Sequence, residues 1–127
     1  MAHQILKLNK VHPTKGYSHA ARAGNTLYVA GQIAKDIKGN LVGPADIRAQ
    51  AHQAYTNLRN VIEEAGGSLK DIVKMTTYLT HPDYVEPWRS VRNEYLSEPM
   101  PPNTLVIITS LVEPGFLIEV EAIAELQ

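Results

Sequence analysis

The feature that most constrains the fold is one apolar stripe with helical spacing in the middle of the chain. Its members recur every three or four positions, as one buried face of an α-helix requires. They are Ile47, Ala51, Ala54, Leu58, Val61 and Ala65. Asp46 precedes the stripe as a candidate N-cap, and Gly66 and Gly67 follow it as a stop signal. The stripe therefore predicts one long amphipathic helix.

Segments with the character of β-strands stand on both sides of this helix. A second, shorter helix is predicted from Pro82 and Asp83 to the prolines at 99, 101 and 102. Its buried stripe is Tyr84, Trp88, Val91 and Tyr95. The predicted strands are residues 4–8, 20–23, 26–30, 72–79, 104–110 and 117–125, with a hairpin turn at 24–25. This order predicts a single α+β domain over residues 1–127, with both helices on one face of the sheet.

The fifth predicted strand, residues 104–110, carries apolar residues on both of its faces. Its sequence over 105–108 is Leu-Val-Ile-Ile. A strand with one face in water alternates apolar and polar residues instead. Because burying apolar surface stabilises a protein by roughly 25 cal/mol per Å², the second face of the sheet should also be covered. No sequence remains to cover it, so we expect another copy of the chain to do so.

Composition excludes several classes of function. The chain has 127 residues, no cysteine and a formal net charge of −1. It therefore has no disulfide, thiolate nucleophile or iron–sulfur ligand, and no basic cluster for nucleic acid. The five histidines lack metal-ligand spacing, and the glycines form no phosphate-binding loop, so we expect no metal and no bound nucleotide. Residues 1–10 lack the apolar core of a signal peptide and no segment is long enough to span a membrane, so a cytoplasmic protein is expected.

Two carboxylates on the last predicted strand are the best candidates for chemistry. Glu119 and Glu121 share one face, and the opposite face is small and apolar. Either both carboxylates lie in solvent or pair with basic residues, or one is drawn into an interface between subunits. In the second case, desolvation would raise the pKa of that carboxyl toward the range useful for acid–base catalysis. Tyr17 has the same two interpretations, as an interfacial aromatic residue or as a hydroxyl that lines a pocket.

Several segments in order resemble those of one known family. They are residues 16–20 (GYSHA), 27–33 (LYVAGQI), 64–69 (EAGGSL), 71–74 (DIVK) and 118–124 (IEVEAIA). On these segments the chain is similar to the Rid family of reactive intermediate deaminases, also called the YjgF or endoribonuclease L-PSP-like family. The resemblance covers nearly the whole chain. It implies a chorismate-mutase-like α+β fold and a homotrimer with pockets between its subunits.

The resemblance also implies an activity and the residues that perform it. Active members hydrolyse 2-aminoacrylate and related enamines and imines to 2-keto acids and ammonia, without a metal or cofactor. By this likeness Glu119 orients the attacking water, Tyr17 lines the pocket, and backbone groups near Gly31 hold the substrate. The implied partner is a small imine, enamine or carboxylate ligand.

One departure from the family pattern changes the expected substrate. Deaminating members carry an arginine in a P-x-R-[ST] motif, and this chain has Asn103 at that position. Asparagine offers one neutral amide where arginine offers a charged fork that matches a carboxylate. Arg92 is a candidate to supply the lost charge from another wall; alternatively, it is a surface arginine that pairs with Glu94 or Glu98.

These observations leave three functions open. The preferred one is a hydrolase of the deaminase type, acting on a small imino or enamino acid other than 2-aminoacrylate. The second is a non-catalytic homotrimer that binds a small metabolite in its intersubunit clefts. The third, RNA cleavage or translation inhibition, has the least support because the chain lacks a basic cluster.

Overall fold

A mixed six-stranded sheet with two helices packed on it forms the frame of the molecule. The computed structural model describes residues 2–127. The strands are β1 (Gln4–Ile5), β2 (Ala20–Ala23), β3 (Thr26–Gln32), β4 (Ile72–Leu79), β5 (Asn103–Ile107) and β6 (Ile118–Glu125), and the helices are α1 (Ile47–Glu64) and α2 (Val85–Tyr95). The strand order across the sheet is β1-β2-β3-β6-β4-β5. Only β4 and β5 run parallel, and the other neighbours are antiparallel. The predicted fold class is confirmed.

Helix α1 forms where the apolar stripe predicts it. The Asp46 side chain accepts a hydrogen bond from the Ala49 N–H at 3.0 Å and so caps the first turn. The helix ends before Gly66, whose φ of +98° is a conformation that glycine adopts without strain. The stripe residues Ala51 and Leu58 are completely buried. The N-cap, the buried stripe and the stop are all confirmed.

Helix α2 also follows its prediction, with one turn of different geometry at its start. Residues Pro82–Tyr84 form a 3₁₀ turn, because the His81 side chain accepts the Asp83 N–H and tightens the entry. The α-helix begins at Val85. The indole Nε1–H of its buried residue Trp88 donates to the Tyr55 hydroxyl of α1 at 3.0 Å. This bond ties the two helices together.

Four strands differ in length from their predictions, and the smallest difference is in β6, which begins at Ile118 instead of residue 117. Strand β1 has only two residues, Gln4 and Ile5. The Leu6 N–H still donates to the carbonyl of Ala20, the first residue of β2, at 3.1 Å, and Leu6 and Leu8 pack against the core. Strand pairing stops where β2 begins, and beyond Leu6 the alternating pattern reflects packing against the core. Strand β3 continues to Gln32, and β5 covers 103–107 instead of 104–110.

The two faces of the sheet differ sharply along β6. Ile118, Val120, Ala122 and Ala124 are buried, and they belong to the core that also includes the buried stripe of α1. Glu119, Glu121 and Ile123 point to the opposite face and are only half-buried. We call this second surface the open face. It also carries Tyr28 of β3, which is 50% exposed.

Candidate functional site

Glu119 lies on the open face in the centre of the sheet. Its strand β6 is flanked by β3 and β4, and Tyr78 of β4 stands directly opposite Glu119 in the register. Burial raises the pKa of the Glu119 carboxyl above its ordinary value, and the negative charge of Glu121 raises it further. A raised pKa makes a carboxylate a stronger proton acceptor than an exposed one.

Gly31 lies directly beneath the Glu119 side chain. The pairing of β3 with β6 shifts register between Val29 and Gln32, so Gly31 falls in an irregular stretch of the strand. A Cβ atom at position 31 would collide with Oε2 of Glu119 and would lie 2.7 Å from its Cγ. Only glycine leaves room for the carboxylate there. The structure thus brings together Glu119 and Gly31, two of the residues predicted to form the site.

A hydrogen-bonded cluster next to Gly31 was not predicted from the sequence. It consists of His12, His19 and Gln32, and we call it the histidine–glutamine cluster. The Gln32 amide Nε2 donates to the Ala30 carbonyl at 3.0 Å and to His19 Nδ1 at 3.1 Å. His19 Nε2 in turn donates to the His12 carbonyl at 2.7 Å. All three side chains of the cluster are buried.

Strand alternation could not have revealed this cluster. Leu27 and Val29 point to the core, and strict alternation would place residue 31 there next. The register shift instead turns Gln32 inward, and a shift of this kind leaves no mark in the hydrophobic pattern. The available signal was the position of His19 and Gln32 within two of the family-like segments.

Tyr17 joins the site at its solvent side. Its ring lies 6.3 Å from the His19 ring in an edge-to-face arrangement, and the residue is 50% exposed. The Thr14 hydroxyl donates to the Tyr17 carbonyl at 2.6 Å and fixes the local turn. A continuous set of contacts therefore links Tyr17 through His19 and Gln32 to the Gly31 segment.

His12 is the least satisfied member of the cluster. Neither of its ring nitrogens has a hydrogen-bond partner, although both are buried. Its ring packs edge-to-face on His19 at 4.7 Å. Burial lowers the pKa of His12 to about 4. The imidazole is therefore neutral at physiological pH.

The second carboxylate on the open face, that of Glu121, is hydrogen-bonded to a tyrosine. The Tyr78 hydroxyl donates to Glu121 Oε1, and this bond raises the pKa of Tyr78 to about 12. Thr76 stands opposite Glu121 in the register. Glu121 thus has a fixed partner, whereas Glu119 has no hydrogen bond to another side chain among residues 2–127. Of the two predicted carboxylates, Glu121 is therefore the one engaged by a neighbouring side chain.

Asn103 lies on the other side of the sheet from Glu119. Its Oδ1 accepts a hydrogen bond from the Thr77 hydroxyl at 2.9 Å, and Thr77 is completely buried beneath the helices. Glu119 points to the open face. A single chain therefore does not bring Asn103 and Glu119 into one pocket.

Arg92 is also separated from Glu119. It belongs to α2 on the helical side of the sheet, and its guanidinium lies 5.1 Å from the centre of the Trp88 ring. It donates to the Asn93 side chain at 2.9 and 3.1 Å. Within residues 2–127 it forms no ion pair with Glu94 or Glu98.

Two broader features of residues 2–127 complete the description. No group of three or more histidine, aspartate or glutamate side chains is arranged to hold a metal ion in this part of the chain. Neither helix that the structure describes has the length and apolar character needed to cross a membrane.

Comparison with known proteins identifies relatives along nearly the whole chain. The family model described as Endoribonuclease L-PSP matches residues 7–126. A RutC family protein of Pyrococcus horikoshii is 37% identical over 124 residues, which are 98% of each chain. A 2-iminobutanoate/2-iminopropanoate deaminase of Dermatophagoides farinae is 30% identical over 115 residues, covering 91% of this chain and 89% of the relative.

Solved structures agree with these sequence matches. RidA from an Antarctic Psychrobacter superimposes with a TM-score of 0.91 at 33% identity, covering 97% of this chain and 99% of that one. YyfA of the Rid protein family from Yersinia pestis gives a TM-score of 0.93 at 28% identity, covering 98% of this chain and 100% of that one.

Proposed function

Because the chain belongs to the Rid family, within the family described as Endoribonuclease L-PSP, we propose that it hydrolyses a small imine or enamine. The substrate is an imino or enamino acid other than 2-aminoacrylate, and the products are a keto acid and ammonia. The observation that carries this proposal is the Glu119 carboxyl, half-buried above Gly31 with a raised pKa. The deaminase from Dermatophagoides farinae supports the same class of reaction.

The proposed reaction needs one positioned water and one group that moves protons. An imine carbon is already electrophilic, so the Glu119 carboxylate accepts a proton as water adds to that carbon. The intermediate is a carbinolamine. For an imine that enters protonated on nitrogen, Glu119 then returns that proton to the amino nitrogen of the carbinolamine. The C–N bond breaks as the hydroxyl group transfers its proton to the Glu119 carboxylate, so that the carbonyl forms and ammonia leaves and carries that proton away as ammonium. An enamine enters the same path after its carbon takes up a proton and the imine forms.

The remaining site residues have proposed roles in binding. Tyr17 lines the entrance, and the backbone around Gly31 holds the polar end of the substrate. Asn103 and Arg92 contact the acid group from another copy of the chain, because they lie on the opposite side of the sheet from Glu119. The half-buried open face supports this arrangement, since it is the surface that a second copy would cover.

The proposed assembly is a homotrimer. Sedimentation equilibrium at micromolar concentration is expected to give a particle of three times the chain mass of 14.0 kDa. A single species of 14.0 kDa would contradict the shared pocket, because no copy would then bring Asn103 or Arg92 to Glu119.

The activity is tested on a panel of imino acids made in place with an amino-acid oxidase. Their decay is followed with and without the protein, and then with Glu119→Gln. Loss of a general acid–base group is expected to lower the enzymatic rate by about 10²–10⁴-fold. Glu125→Gln is the matched control, since Glu125 is an exposed carboxylate on the same strand that contacts Thr26.

Two results would contradict the proposal. One is the absence of any acceleration across the panel, which would favour a trimer that binds a metabolite without turning it over. The other is an equal loss of rate in the Glu125 control, which would show that charge on β6 matters rather than the Glu119 carboxyl.

Asn103→Arg tests why 2-aminoacrylate is excluded. An arginine there restores a planar fork for the substrate carboxylate, and a charged hydrogen bond contributes about 1.5–3 kcal/mol. We expect about tenfold to hundredfold faster hydrolysis of 2-iminopropanoate, the imine tautomer of 2-aminoacrylate, at low substrate concentration than the wild-type protein gives. Asn103→Lys is the control, because it adds the charge without the fork. Equal rates for the three proteins would show that position 103 does not select the substrate.

A further inference from the structure

The histidine–glutamine cluster is an unusual place to find unpaired polar atoms. Within residues 2–127, the buried side-chain atoms without a hydrogen-bond partner are both ring nitrogens of His12 and Oε1 of Gln32. A buried polar atom without a partner costs about 1–3 kcal/mol. Apolar side chains would fill the same space without that cost. The cluster therefore has a use other than filling the core.

The hydrogen bonds of the cluster form a chain, and the two groups at the ends of that chain fix the direction of every bond in it. Both ends are backbone carbonyls, of Ala30 and of His12, and a carbonyl oxygen only accepts. Gln32 must therefore present its NH₂ group, which donates to Ala30 and to His19 Nδ1. His19 then accepts at Nδ1 and donates from Nε2 to the His12 carbonyl. Each member can hold its neighbour in only one orientation.

The bond from Gln32 to Ala30 spans Gly31. Gln32 donates to the carbonyl two residues earlier in the same strand, and Gly31 lies between them at the register shift. Since Glu119 packs directly on Gly31, the shape of this short segment sets where the carboxyl can lie. The Ala30 N–H also donates to the His19 carbonyl at 2.8 Å, which fastens the segment from its other side.

We propose that His19 and Gln32 are positioning residues, which hold the Ala30–Gly31 segment in the shape that receives the Glu119 carboxyl. His19 orients the Gln32 amide, and Gln32 closes the segment around Gly31. Neither side chain touches the substrate. The inference rests on the proposed function only in taking Glu119 and Gly31 as the site, and its test includes readouts that need no turnover.

The experiment compares His19→Phe, which keeps a ring but loses both hydrogen bonds, with His19→Gln, which keeps one acceptor and one donor. His3→Gln is the control, because His3 is an exposed histidine outside the cluster. Amide hydrogen exchange of residues 30–32 and the pH titration of the Glu119 carboxyl carbon are followed by NMR. The kinetic constants are measured on the best substrate of the panel.

In His19→Phe we expect exchange at 30–32 to rise at least tenfold relative to residues of β4. The Glu119 titration should move toward the ordinary value of a glutamate, and kcat should fall more than KM changes. His19→Gln should restore most of the exchange protection. If His19→Phe does not fold, Gln32→Met takes its place, because it also removes both donated bonds.

A folded His19→Phe or Gln32→Met variant with wild-type exchange and wild-type Glu119 titration would overturn the inference. If the wild-type protein turns over nothing in the panel, the proposed function fails, whereas exchange and titration still decide the positioning role.

Discussion

Two sets of buried polar side chains in this molecule differ in how completely they are hydrogen-bonded. On α1, Gln50 and Asn57 use their amide groups fully. Gln50 donates to the carbonyls of Gly43 and Gly115 and accepts from the Leu117 N–H. Asn57 donates to two carbonyls of the loop after β3 and accepts from its neighbour on the helix. The histidine–glutamine cluster, equally buried, leaves three side-chain atoms without partners.

This difference distinguishes buried amides that stabilise the fold from the side chains for which we propose a positioning role. The side-chain amides of α1 form the hydrogen bonds that loop backbone groups would otherwise form with water. They therefore stabilise the fold, and none of their own polar atoms is unpaired. The cluster beside Gly31 retains an unpaired and titratable histidine instead. These unpaired buried atoms destabilise the fold, and they lie close to the Glu119 carboxyl, whose pKa is raised and where we propose that the chemistry takes place.

The largest effect is expected from Gln50→Met. It leaves three backbone groups of two loops without their partner, so the free energy of unfolding should fall by about 3–5 kcal/mol. Gln53→Met is the control, because Gln53 donates a single bond to Asn57, and it should cost less than about 1 kcal/mol. Urea unfolding measures both. Equal stability of the two variants would remove the contrast between the two sets.

The next effect is the pH dependence caused by His12. Its folded pKa of about 4 lies below the unfolded value of 6.5, so the unfolded chain binds the proton first as pH falls. The stability that neutral His12 permits is complete above about pH 6.5 and is lost between 6.5 and 4, by up to about 3 kcal/mol. His12→Phe should flatten this part of the stability curve, measured by urea unfolding at several pH values.

The control for His12 is His3→Gln, which should retain the wild-type curve. The difference between the stability curves of the wild type and His12→Phe gives the contribution of His12. The raised pKa of Glu119 changes stability with pH in the opposite direction, but it is present in both proteins. An unchanged slope in His12→Phe would show that this histidine is not the group that titrates.

The smallest effect is expected from Gly31→Ala. The added Cβ meets the flexible end of Glu119, so the carboxyl moves and the fold is little affected. Displacing a catalytic group by about 1 Å lowers turnover by about 10- to 100-fold. Gly115→Ala is the control, since its Cβ would meet only Leu41 at 3.2 Å. Unchanged turnover in Gly31→Ala would show that Glu119 does not need this position.

Local patterns predicted most of the fold. The stripe of α1 and its cap, the hairpin at Gly24 and Asn25, and the alternation in β6 each lie within one short segment. Periodicity and capping are properties of neighbouring residues, and they need no knowledge of the rest of the chain. Strand β1 was predicted too long because an edge strand ends where its partner ends, and no local pattern records that.

The sequence by itself determined the arrangement of helices and strands, the two-sided character of β6, and the candidate carboxylates. The tertiary structure decided which of the two carboxylates is hydrogen-bonded to another side chain, because Tyr78 donates to Glu121 from a neighbouring strand. It also decided that Gly31 lies under Glu119, that Gln32 turns inward, and that Asn103 lies on the opposite side of the sheet. These facts depend on strand register and on contacts between distant residues, which hydrophobic periodicity does not encode.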